Sequence, residues 1–348
     1  MTLGPLMVDV QGQQLTAEER ERLQHPLVGS VILFTRNYAD PQQLAELVAQ
    51  IHAVRSPSLI VAVDHEGGRV QRFRSGFSLL PAARRIGHEY DTDPRAGLEL
   101  ARELGWLMAA ELRAVGIDHS FAPCVDLDFG VSEVIGDRAF HSRAHAVGAL
   151  AVAYMHGMRD AGMAATAKHF PGHGAVVADS HVALPVDRRA LADLDGDLAP
   201  YRVLIANGLA GVMVAHVVYP AVDPQPASVS ARWILGVLRQ ELRFQGAVFA
   251  DDLSMAGAAA VGSIVERATR ALAAGCDVLP VCNHPPSVIA LLDGLKVAPD
   301  PVAALRLVRL RGRGAHADRG QLQASQRWLQ CQQTLEKCAA PPTLNLQA

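Results

Sequence analysis

Short apolar runs alternate with longer amphipathic segments along most of the chain. Uncharged runs of this length are typical of strands that are buried on both faces of a parallel sheet. Eight such strands are predicted, at Leu6–Val10, Val31–Phe34, Leu59–Val63, Ile117–Ala122, Met163–Ala167, Gly211–Ala215, Ala247–Ala250 and Asp277–Val281. Their alternation with amphipathic segments favours an α/β fold.

The segments between the strands predict helices with recognisable ends. Asp40 suits an N-cap and Pro41 the first helical position, and apolar residues at helical spacing follow them. Similar patterns cover Ala96–Val115, Val147–Asp160, Ala231–Leu242 and Ile264–Ala274, the last being followed by Gly275 as a C′ glycine. No strong linker interrupts the series, so we predict a single (β/α)8 TIM barrel over residues 1–305, with an open doubly wound sheet as the alternative.

Beyond residue 305 the pattern changes. Residues 306–348 are predicted to form a C-terminal extension that is partly helical, around Leu322–Leu335, with a frayed tail from Pro341. The extension begins with an arginine-rich stretch, consisting of Arg306, Arg309, Arg311, Arg313 and Arg319. A solvated helix face and loop is favoured for these arginines over a binding patch.

Composition narrows the class of protein. The chain has 348 residues, 50% of them hydrophobic, and a net charge of -3, which argues against a general nucleic-acid binder. Its five cysteines form no CxxC pair, which favours a reduced protein. No uncharged apolar stretch is long enough to span a membrane, and the start lacks the pattern of a secretory signal. We expect a soluble cytoplasmic monomer with no membrane or nucleic-acid partner.

Polar residues follow the predicted fifth strand closely. Lys168 to Gly174 contains a lysine and two histidines, and Asp179 and His181 come shortly afterwards. The carboxyl ends of parallel strands are where α/β folds bind ligands. The chain has only three lysines, so the one at this strand end suggests that a compact point charge is required there.

Two kinds of chemistry are open for these histidines. Histidines and carboxylates in this number could bind zinc, but the sequence has no HExxH motif and no Cys or His pair at metal-ligand spacing. An acid–base dyad is favoured, in which Asp179 orients His181 and raises its basicity. We therefore expect no metal and no cofactor.

Other strand ends carry candidate residues too. Asp64 to Phe73 follows the third strand and includes a double glycine and Arg72, which suits recognition of a hydroxylated or acidic small molecule or else a charged surface turn. After the fourth strand, Asp126, Asp128 and the segment Gly136 to Phe140 fit a site and a structural Asx turn or ion pair equally well.

The sixth and seventh strands also end in polar residues. His216 is better explained as a structural histidine. The seventh strand leads into Asp251 and Asp252, whose side chains should face opposite ways because they are adjacent in an extended segment. We expect Asp251 to point into the site as a nucleophile or base, and Asp252 to be structural.

Taken together, these motifs resemble glycoside hydrolase family 3, and within it the short bacterial β-N-acetylhexosaminidases of the NagZ type. The matching segments appear in the family's order and are Leu33 to Asn37, Asp64 to Phe73, Gly136 to Phe140, Lys168 to Gly174 with Asp179 to His181, and Ala250 to Met255. The sequence departs from the family's pattern at His65, where glutamine is frequent, and at Ala250, where serine is common.

The resemblance implies a (β/α)8 barrel and a retaining mechanism with a covalent glycosyl-enzyme intermediate. It implies that Asp251 is the nucleophile and that His181, supported by Asp179, is the acid/base. The residues implied to hold N-acetylglucosamine are Asp64, Arg72, Arg138, Lys168 and His169. The glycines of the histidine loop could let His181 move between the two steps.

The expected activity is exo-β-N-acetylglucosaminidase action on a sugar or muropeptide, in peptidoglycan recycling as the resemblance implies. A β-N-acetylglucosaminide phosphorylase is the nearest alternative. A metal-dependent barrel hydrolase and a catalytically inactive sugar-binding protein belong to other classes. Dependence on phosphate would identify the first alternative and loss of activity on chelation the second, whereas an inactive binding protein would have no activity for Asp251→Ala to remove.

Overall fold

The computed structural model describes residues 3–177, 184–259, 261–298, 300–314 and 318–339. Eight parallel strands form one sheet, and in chain order they are Leu6–Asp9, Val28–Leu33, Ile60–Val63, His119–Ser120, Ala164–Phe170, Gly211–Val214, Ala247–Ala250 and Leu279–Val281. The first strand pairs with both the second and the eighth. A parallel bridge between Phe249 and Val278 joins the seventh strand to the start of the eighth, so the sheet forms a nearly closed barrel. The predicted (β/α)8 fold is confirmed.

The strands lie where the apolar runs predict them, with two informative differences. The fourth is only two residues long, because Pro123 soon follows it and has no amide hydrogen for the ladder. The fifth continues through Phe170, so that Lys168 and His169 belong to the strand itself. These two side chains therefore stand on a hydrogen-bonded element, which holds them more firmly than a loop would.

Helices surround the barrel. They are Ala17–Gln24, Pro41–Ala53, Ala83–Thr92, Pro94–Ala114, Ala144–Asp160, Asp195–Ala206, Ala256–Ala259, Ile264–Ala274, Pro285–Gly294, Pro301–Val308, Arg319–Ala324 and Gln326–Ala339. The predicted caps are confirmed: the Asp40 carboxylate accepts hydrogen bonds from the amides of Gln42 and Gln43, and Gly275 has a φ of 107°. Within the described residues no helix is long and apolar enough to cross a membrane.

One predicted helix has a different hydrogen-bond pattern. Arg232–Glu241 is a π-helix rather than an α-helix. Its buried residues are Trp233, Ile234, Val237 and Leu238, which is also the spacing of an α-helical face. Hydrophobic periodicity over so few turns does not distinguish the two, so the sequence located the element but not its type.

The C-terminal extension packs against the barrel. The helix expected over Leu322–Leu335 is interrupted at Ser325, whose hydroxyl donates to the carbonyl of Leu322 at 2.6 Å and accepts from the amide of Trp328 at 3.3 Å. A serine in this place ends one helix and caps the next. The helix Pro301–Val308 runs across residue 305, where the barrel is expected to end. The tail from Pro341 lies outside the described residues.

The core of the barrel is filled by large side chains. Phe121 and Phe249 meet edge to face with their centroids 5.2 Å apart, and the His119 ring stacks on Phe249 at 5.9 Å. The Nε2 atom of His119 lies 2.7 Å from the Thr166 hydroxyl, and burial lowers the pKa of His119 to about 4. The barrel interior is therefore a packed, uncharged floor beneath the strand ends.

Candidate active site

A cavity of about 500 Å³ opens at the carboxyl ends of the barrel strands. Six of the eight residues that the sequence assigns to catalysis or sugar binding line it, namely Asp64, Arg72, Arg138, Lys168, His169 and Asp251. They come from four separate strand ends, so the fold brings together residues that are far apart in the chain. The other two, Asp179 and His181, lie outside the described residues.

Lys168 is the buried cation of this cavity. Its ammonium lies 2.7 Å from Asp64 Oδ1 and 2.6 Å from Glu66 Oε1. Burial opposes the positive charge, but the two carboxylates outweigh it and raise the pKa of Lys168 above its ordinary value. The lysine is therefore charged at any physiological pH and holds both carboxylates in fixed positions.

Glu66 links Lys168 to Arg138. The Arg138 guanidinium donates to the two oxygens of Glu66 at 2.9 and 2.8 Å, a bidentate contact. Burial would raise the pKa of Glu66, but Arg138 and Lys168 keep that pKa below its ordinary value. The sequence interpretation did not single out Glu66, although its place in the segment after the third strand was a usable signal. Glu66 therefore fixes the positions of Arg138 and Lys168 relative to each other.

Asp126 organises the two histidines next to the strand. Its carboxylate lies 2.7 Å from His169 Nδ1, and it accepts hydrogen bonds from the amides of His169 at 3.2 Å and His173 at 2.7 Å. Burial would raise the pKa of Asp126, but the histidines and these hydrogen bonds lower it to about 2. The sequence left a site and a structural turn equally open for Asp126, and the structure makes it the residue that orients His169.

His173 stands beside this pair. Its ring is buried and lies 5.9 Å from the His169 ring, and neither ring nitrogen has a hydrogen-bond partner among the described residues. Burial is the main cause that lowers the pKa of His173. Because it lines the cavity, His173 presents an uncharged imidazole to whatever binds there.

Asp251 and Asp252 follow the seventh strand. The amide of Asp251 donates to the carbonyl of Val214 at 3.0 Å, which continues the sheet to this residue. Asp252 Oδ1 accepts from the amide and hydroxyl of Ser254 at 2.9 and 2.8 Å and from the amide of Cys282 at 3.2 Å. Both residues border the cavity, but the carboxylate of Asp252 is used in holding the turn. Burial raises the pKa of Asp252 to about 6.

His216 lies below the aspartates and has a structural role, as expected. Its Nδ1 lies 2.6 Å from the Ser228 hydroxyl and its Nε2 lies 2.9 Å from the carbonyl of Asp252. The ring is fully buried, and both of its nitrogens are satisfied. It thereby supports the turn that carries Asp251.

The segment after the third strand forms a small hairpin, His65–Gly67 with Val70–Gln71. It carries Arg72, whose guanidinium lies 3.9 Å from Asp64 Oδ2. His65 is buried against the rings of Phe73 and Phe77, each 5.7 Å away, and burial lowers its pKa to about 3. His65, where the family frequently has glutamine, therefore packs behind the residues that line the cavity and does not line it itself.

Two glycines of the histidine loop are required by close packing. A Cβ on Gly174 would lie 1.8 Å from the carbonyl oxygen of Leu127, and one on Gly172 would lie 2.6 Å from Asp197 Oδ1. Alanine at position 174 would displace backbone, and alanine at position 172 would displace the buried Asp197 side chain, whether or not the loop moves. These glycines therefore have a packing role that is separate from any mobility of His181.

Three buried groups near the site could be considered for a metal. Cys124, Asp126 and His169 have ligand atoms within 4.8 Å of one another. Burial raises the pKa of the Cys124 thiol well above its ordinary value, so the thiol is a protonated donor in this arrangement. The Cys124 sulfur donates to Asp126 Oδ2 at 3.3 Å, so the cluster is better described as hydrogen bonded.

Comparison with known proteins agrees with this arrangement. The model of the glycosyl hydrolase family 3 N-terminal domain matches residues 6–307. A β-hexosaminidase of Thioalkalivibrio sulfidiphilus is 55% identical over 346 residues, which are 99% of each chain. One of Thiobacillus denitrificans is 57% identical over 318 residues, which are 91% of this chain and 89% of its own.

A similar fold has been solved by crystallography. NagZ from Neisseria gonorrhoeae, in complex with N-trifluoroacetyl-D-glucosamine, is 43% identical and superposes with a TM-score of 0.93. The match covers 98% of this chain and 99% of that one. Sequence and fold agree over nearly the whole length, and the chain belongs to glycosyl hydrolase family 3.

Proposed function

We propose that this chain is a retaining exo-β-N-acetylglucosaminidase that releases terminal non-reducing N-acetylglucosamine. Its class, a glycoside hydrolase, follows from its family, and its curated relatives are β-hexosaminidases. One observation carries the proposal: Asp251 lines the same cavity as Asp64, Arg138 and Lys168. A carboxylate at a strand tip beside a set of fixed hydrogen-bonding groups suits attack on a bound sugar.

The first chemical step is assigned to Asp251 and His181. The Asp251 carboxylate attacks the anomeric carbon, the glycosidic bond breaks, and His181 gives its proton to the leaving oxygen. Asp179 orients the imidazole. In the second step His181 takes a proton from water, which attacks the anomeric carbon and releases Asp251. An imidazole in this role avoids placing a second anion beside the nucleophile.

The sugar is held by groups that are already paired with one another. Lys168 has three N–H donors and uses two on Asp64 and Glu66, which leaves one for a sugar hydroxyl. Arg138 and Arg72 lie at the same cavity, and His169 lies 3.4 Å from Arg138. Such mutually neutralised charges offer strong, oriented hydrogen bonds without a net charge, which suits a neutral sugar.

The natural substrate is assigned to the class of muropeptides that carry N-acetylglucosamine on 1,6-anhydro-N-acetylmuramic acid. The Neisseria relative with the same fold was solved with an N-acylated glucosamine. Peptidoglycan recycling in the cytoplasm is the corresponding process, and the enzyme is proposed to act as a monomer. Digestion of purified muropeptides followed by mass spectrometry tests the substrate, and light scattering of the eluted protein tests the monomer.

The decisive experiment compares hydrolysis of a chromogenic β-N-acetylglucosaminide by wild type, Asp251→Ala and His181→Ala. We expect Asp251→Ala to lose about 10⁴-fold or more in kcat. Asp128→Asn is the matched control, because Asp128 follows the fourth strand but, among the described residues, its carboxylate accepts only from the amide of Gly130 and does not line the cavity. Full activity in Asp251→Ala would refute the mechanism.

Phosphate separates hydrolysis from phosphorolysis. The same assay is run with and without inorganic phosphate, and the sugar product is identified by NMR. We expect free N-acetylglucosamine, released first as the β anomer, at a rate that does not depend on phosphate. A sugar phosphate as the main product would assign the phosphorylase activity instead.

A further inference from the structure

We propose that a second cavity, at the amino ends of the barrel strands, binds a small ligand that carries two or more linked phosphate groups. This basic cavity has a volume of about 510 Å³ and is lined by Arg159, Arg243, Arg309, Arg311 and Arg313 together with apolar residues. It lies beside the beginnings of the fifth, sixth and seventh strands, at the opposite end of the barrel from Asp251. The inference is independent of the proposed glycosidase function.

Charge is the first observation that carries the proposal. Five arginines line the basic cavity, whereas none of its described lining residues is an aspartate or glutamate. The whole chain has a net charge of -3, so this concentration of positive charge is local. Uncompensated guanidinium groups repel one another and together create a potential that attracts anions.

Pairing is the second observation. In the part of the chain that the structure describes, Arg159, Arg243, Arg309 and Arg313 have no carboxylate within ion-pair distance. By contrast, Arg306 contacts Asp277 at 2.9 Å, only one helical turn before Arg309. Carboxylates are thus supplied to arginines nearby and not to those of the cavity, which is the arrangement expected if an anion binds there.

The arginines of this cavity come from three segments. Arg159 stands at the end of the helix Ala144–Asp160, and Arg243 precedes the seventh strand with a φ of 59°, unusual for a residue with a side chain. Arg309 to Arg313 follow the helix Pro301–Val308. The amide of Arg313 donates to the carbonyl of Gly162 at 2.8 Å, and Arg311 contacts the Ser58 hydroxyl at 2.6 Å, so the segment is anchored.

The lining indicates the class of ligand. Guanidinium groups match the oxygens of phosphate with pairs of hydrogen bonds, and the five arginines that line this cavity supply enough of them for a ligand with linked phosphates. Met155, Met163, Leu209 and Phe244 supply an apolar floor that can contact an organic group. A volume of about 510 Å³ is in the range of small-molecule sites.

Isothermal titration calorimetry of the full chain in low-salt, phosphate-free buffer tests the proposal, with pyrophosphate and ATP as probes. We expect binding that weakens as salt is added, and that falls about tenfold in Arg309→Gln and in Arg159→Gln. Arg232→Gln is the control, because Arg232 is also exposed but already contacts Glu241 at 3.2 Å. It should bind like wild type.

The probes distinguish the sources of the phosphate. Equal affinity for pyrophosphate and ATP would assign the basic cavity to phosphate groups alone, and tighter binding of ATP would add an organic group on the apolar floor. Saturating N-acetylglucosamine blocks the other cavity and should change neither affinity. No binding of either probe, unchanged binding in both arginine variants, or equal affinity for citrate would overturn the proposal.

Discussion

The two ends of the barrel use arginine and lysine in opposite ways. At the carboxyl end, Lys168 contacts both Asp64 and Glu66 at less than 3 Å, and Glu66 also contacts Arg138 at 2.8 Å. At the amino end, Arg309 and Arg159 line a cavity of similar size without a carboxylate beside them among the described residues. One end is electrostatically satisfied before any ligand arrives, and the other is not.

The difference teaches what each end can recognise. Paired charges are oriented and have little net field, so they discriminate among neutral ligands through the geometry of their remaining hydrogen bonds. Unpaired positive charges create an electrostatic potential but are not held in fixed orientations, so they attract anions without selecting a shape. Removing one partner of a buried pair strongly destabilises a fold, because the other charge stays buried without compensation, whereas removing an exposed unpaired charge does not. The following experiments test this comparison, beginning with the largest expected effect.

Replacing one cation at each end tests the comparison directly. Lys168→Met should destabilise the fold by about 3–5 kcal/mol, because it leaves Glu66 buried with one fewer cation beside it. Arg309→Met should remain within about 0.5 kcal/mol of wild type. Urea-induced unfolding of both variants measures the free energies. Equal losses at the two ends would contradict the distinction between paired and unpaired charge.

The pairing at the carboxyl end also predicts a pH dependence. The folded-state pKa of Asp126 is about 2, below its ordinary value of 3.8. The ionised carboxylate therefore contributes fully to the free energy of unfolding at a pH above 3.8, and this contribution is lost as the pH falls towards 2. That contribution is about 2 kcal/mol. Asp126→Asn should therefore differ from wild type in unfolding free energy at pH 6, and the difference should shrink below pH 4.

Asp128→Asn is the control for this measurement. Its carboxylate lies two residues further along and, in the part of the chain that the structure describes, accepts one hydrogen bond, from the amide of Gly130. Asp128→Asn should change the unfolding free energy at pH 6 much less than Asp126→Asn does. A difference between Asp126→Asn and wild type that stays constant from pH 6 to pH 3 would exclude the assigned cause.

A smaller effect is expected where the C-terminal helix supports the carboxyl end. The Trp328 indole donates to Glu111 at 2.8 Å, and Glu111 also accepts from the amide and hydroxyl of Ser78, in the segment after Arg72. Trp328→Phe removes this hydrogen bond and should lower the free energy of unfolding by about 1 kcal/mol. It should raise KM for the chromogenic substrate with little change in kcat, because the binding segment, Arg72 to Ser78, is loosened and the nucleophile is not.

Leu329→Ala provides the matched control for Trp328→Phe. Leu329 lies on the same helix and is 49% exposed, so the substitution shortens a neighbouring side chain without touching Glu111. Its KM should be that of wild type. If both variants shift KM equally, the effect comes from the helix as a whole and not from the indole hydrogen bond.

The smallest effect is expected at the amino end. Arg309→Gln removes one of several like charges and should stabilise the ligand-free protein by up to about 0.5 kcal/mol at low ionic strength. The gain should disappear in about 1 M salt, where the screening length is roughly 3 Å. Thermal unfolding at two salt concentrations measures it. Destabilisation at low salt would show that Arg309 has a favourable partner in the protein.

The sequence predicted the barrel because its strands are buried on both faces and read as continuous apolar runs. Ala247–Ala250 has the predicted bounds, and the strand ends carry the residues that line the cavity. Their positions at strand ends were sufficient to predict that Asp64, Lys168 and Asp251 lie at one cavity, since parallel strands share one carboxyl edge. The open-sheet alternative was wrong, because strand order cannot be read from the pattern.

Partners across the chain could not be predicted. Glu66 and Arg138 are 72 residues apart, and Arg311 and Ser58 are separated by 253. No local pattern specifies such contacts, which depend on how separate elements pack. Arg309 and Arg313 are exposed, which agrees with the solvated face that the sequence favours. The cavity that they share with Arg159 and Arg243 could not be predicted, because those residues come from segments far away in sequence.

The contact between Trp328 and Glu111 gives the protein an intrinsic optical reporter. The chain has three tryptophans, and Trp106 and Trp233 are buried in the core, whereas Trp328 is only partly buried at the joint between the extension and the binding segment. Its emission wavelength and quenching should respond to any shift of Glu111 and Ser78 that accompanies sugar binding. Binding at the carboxyl end can then be followed by fluorescence, without a label and without turnover.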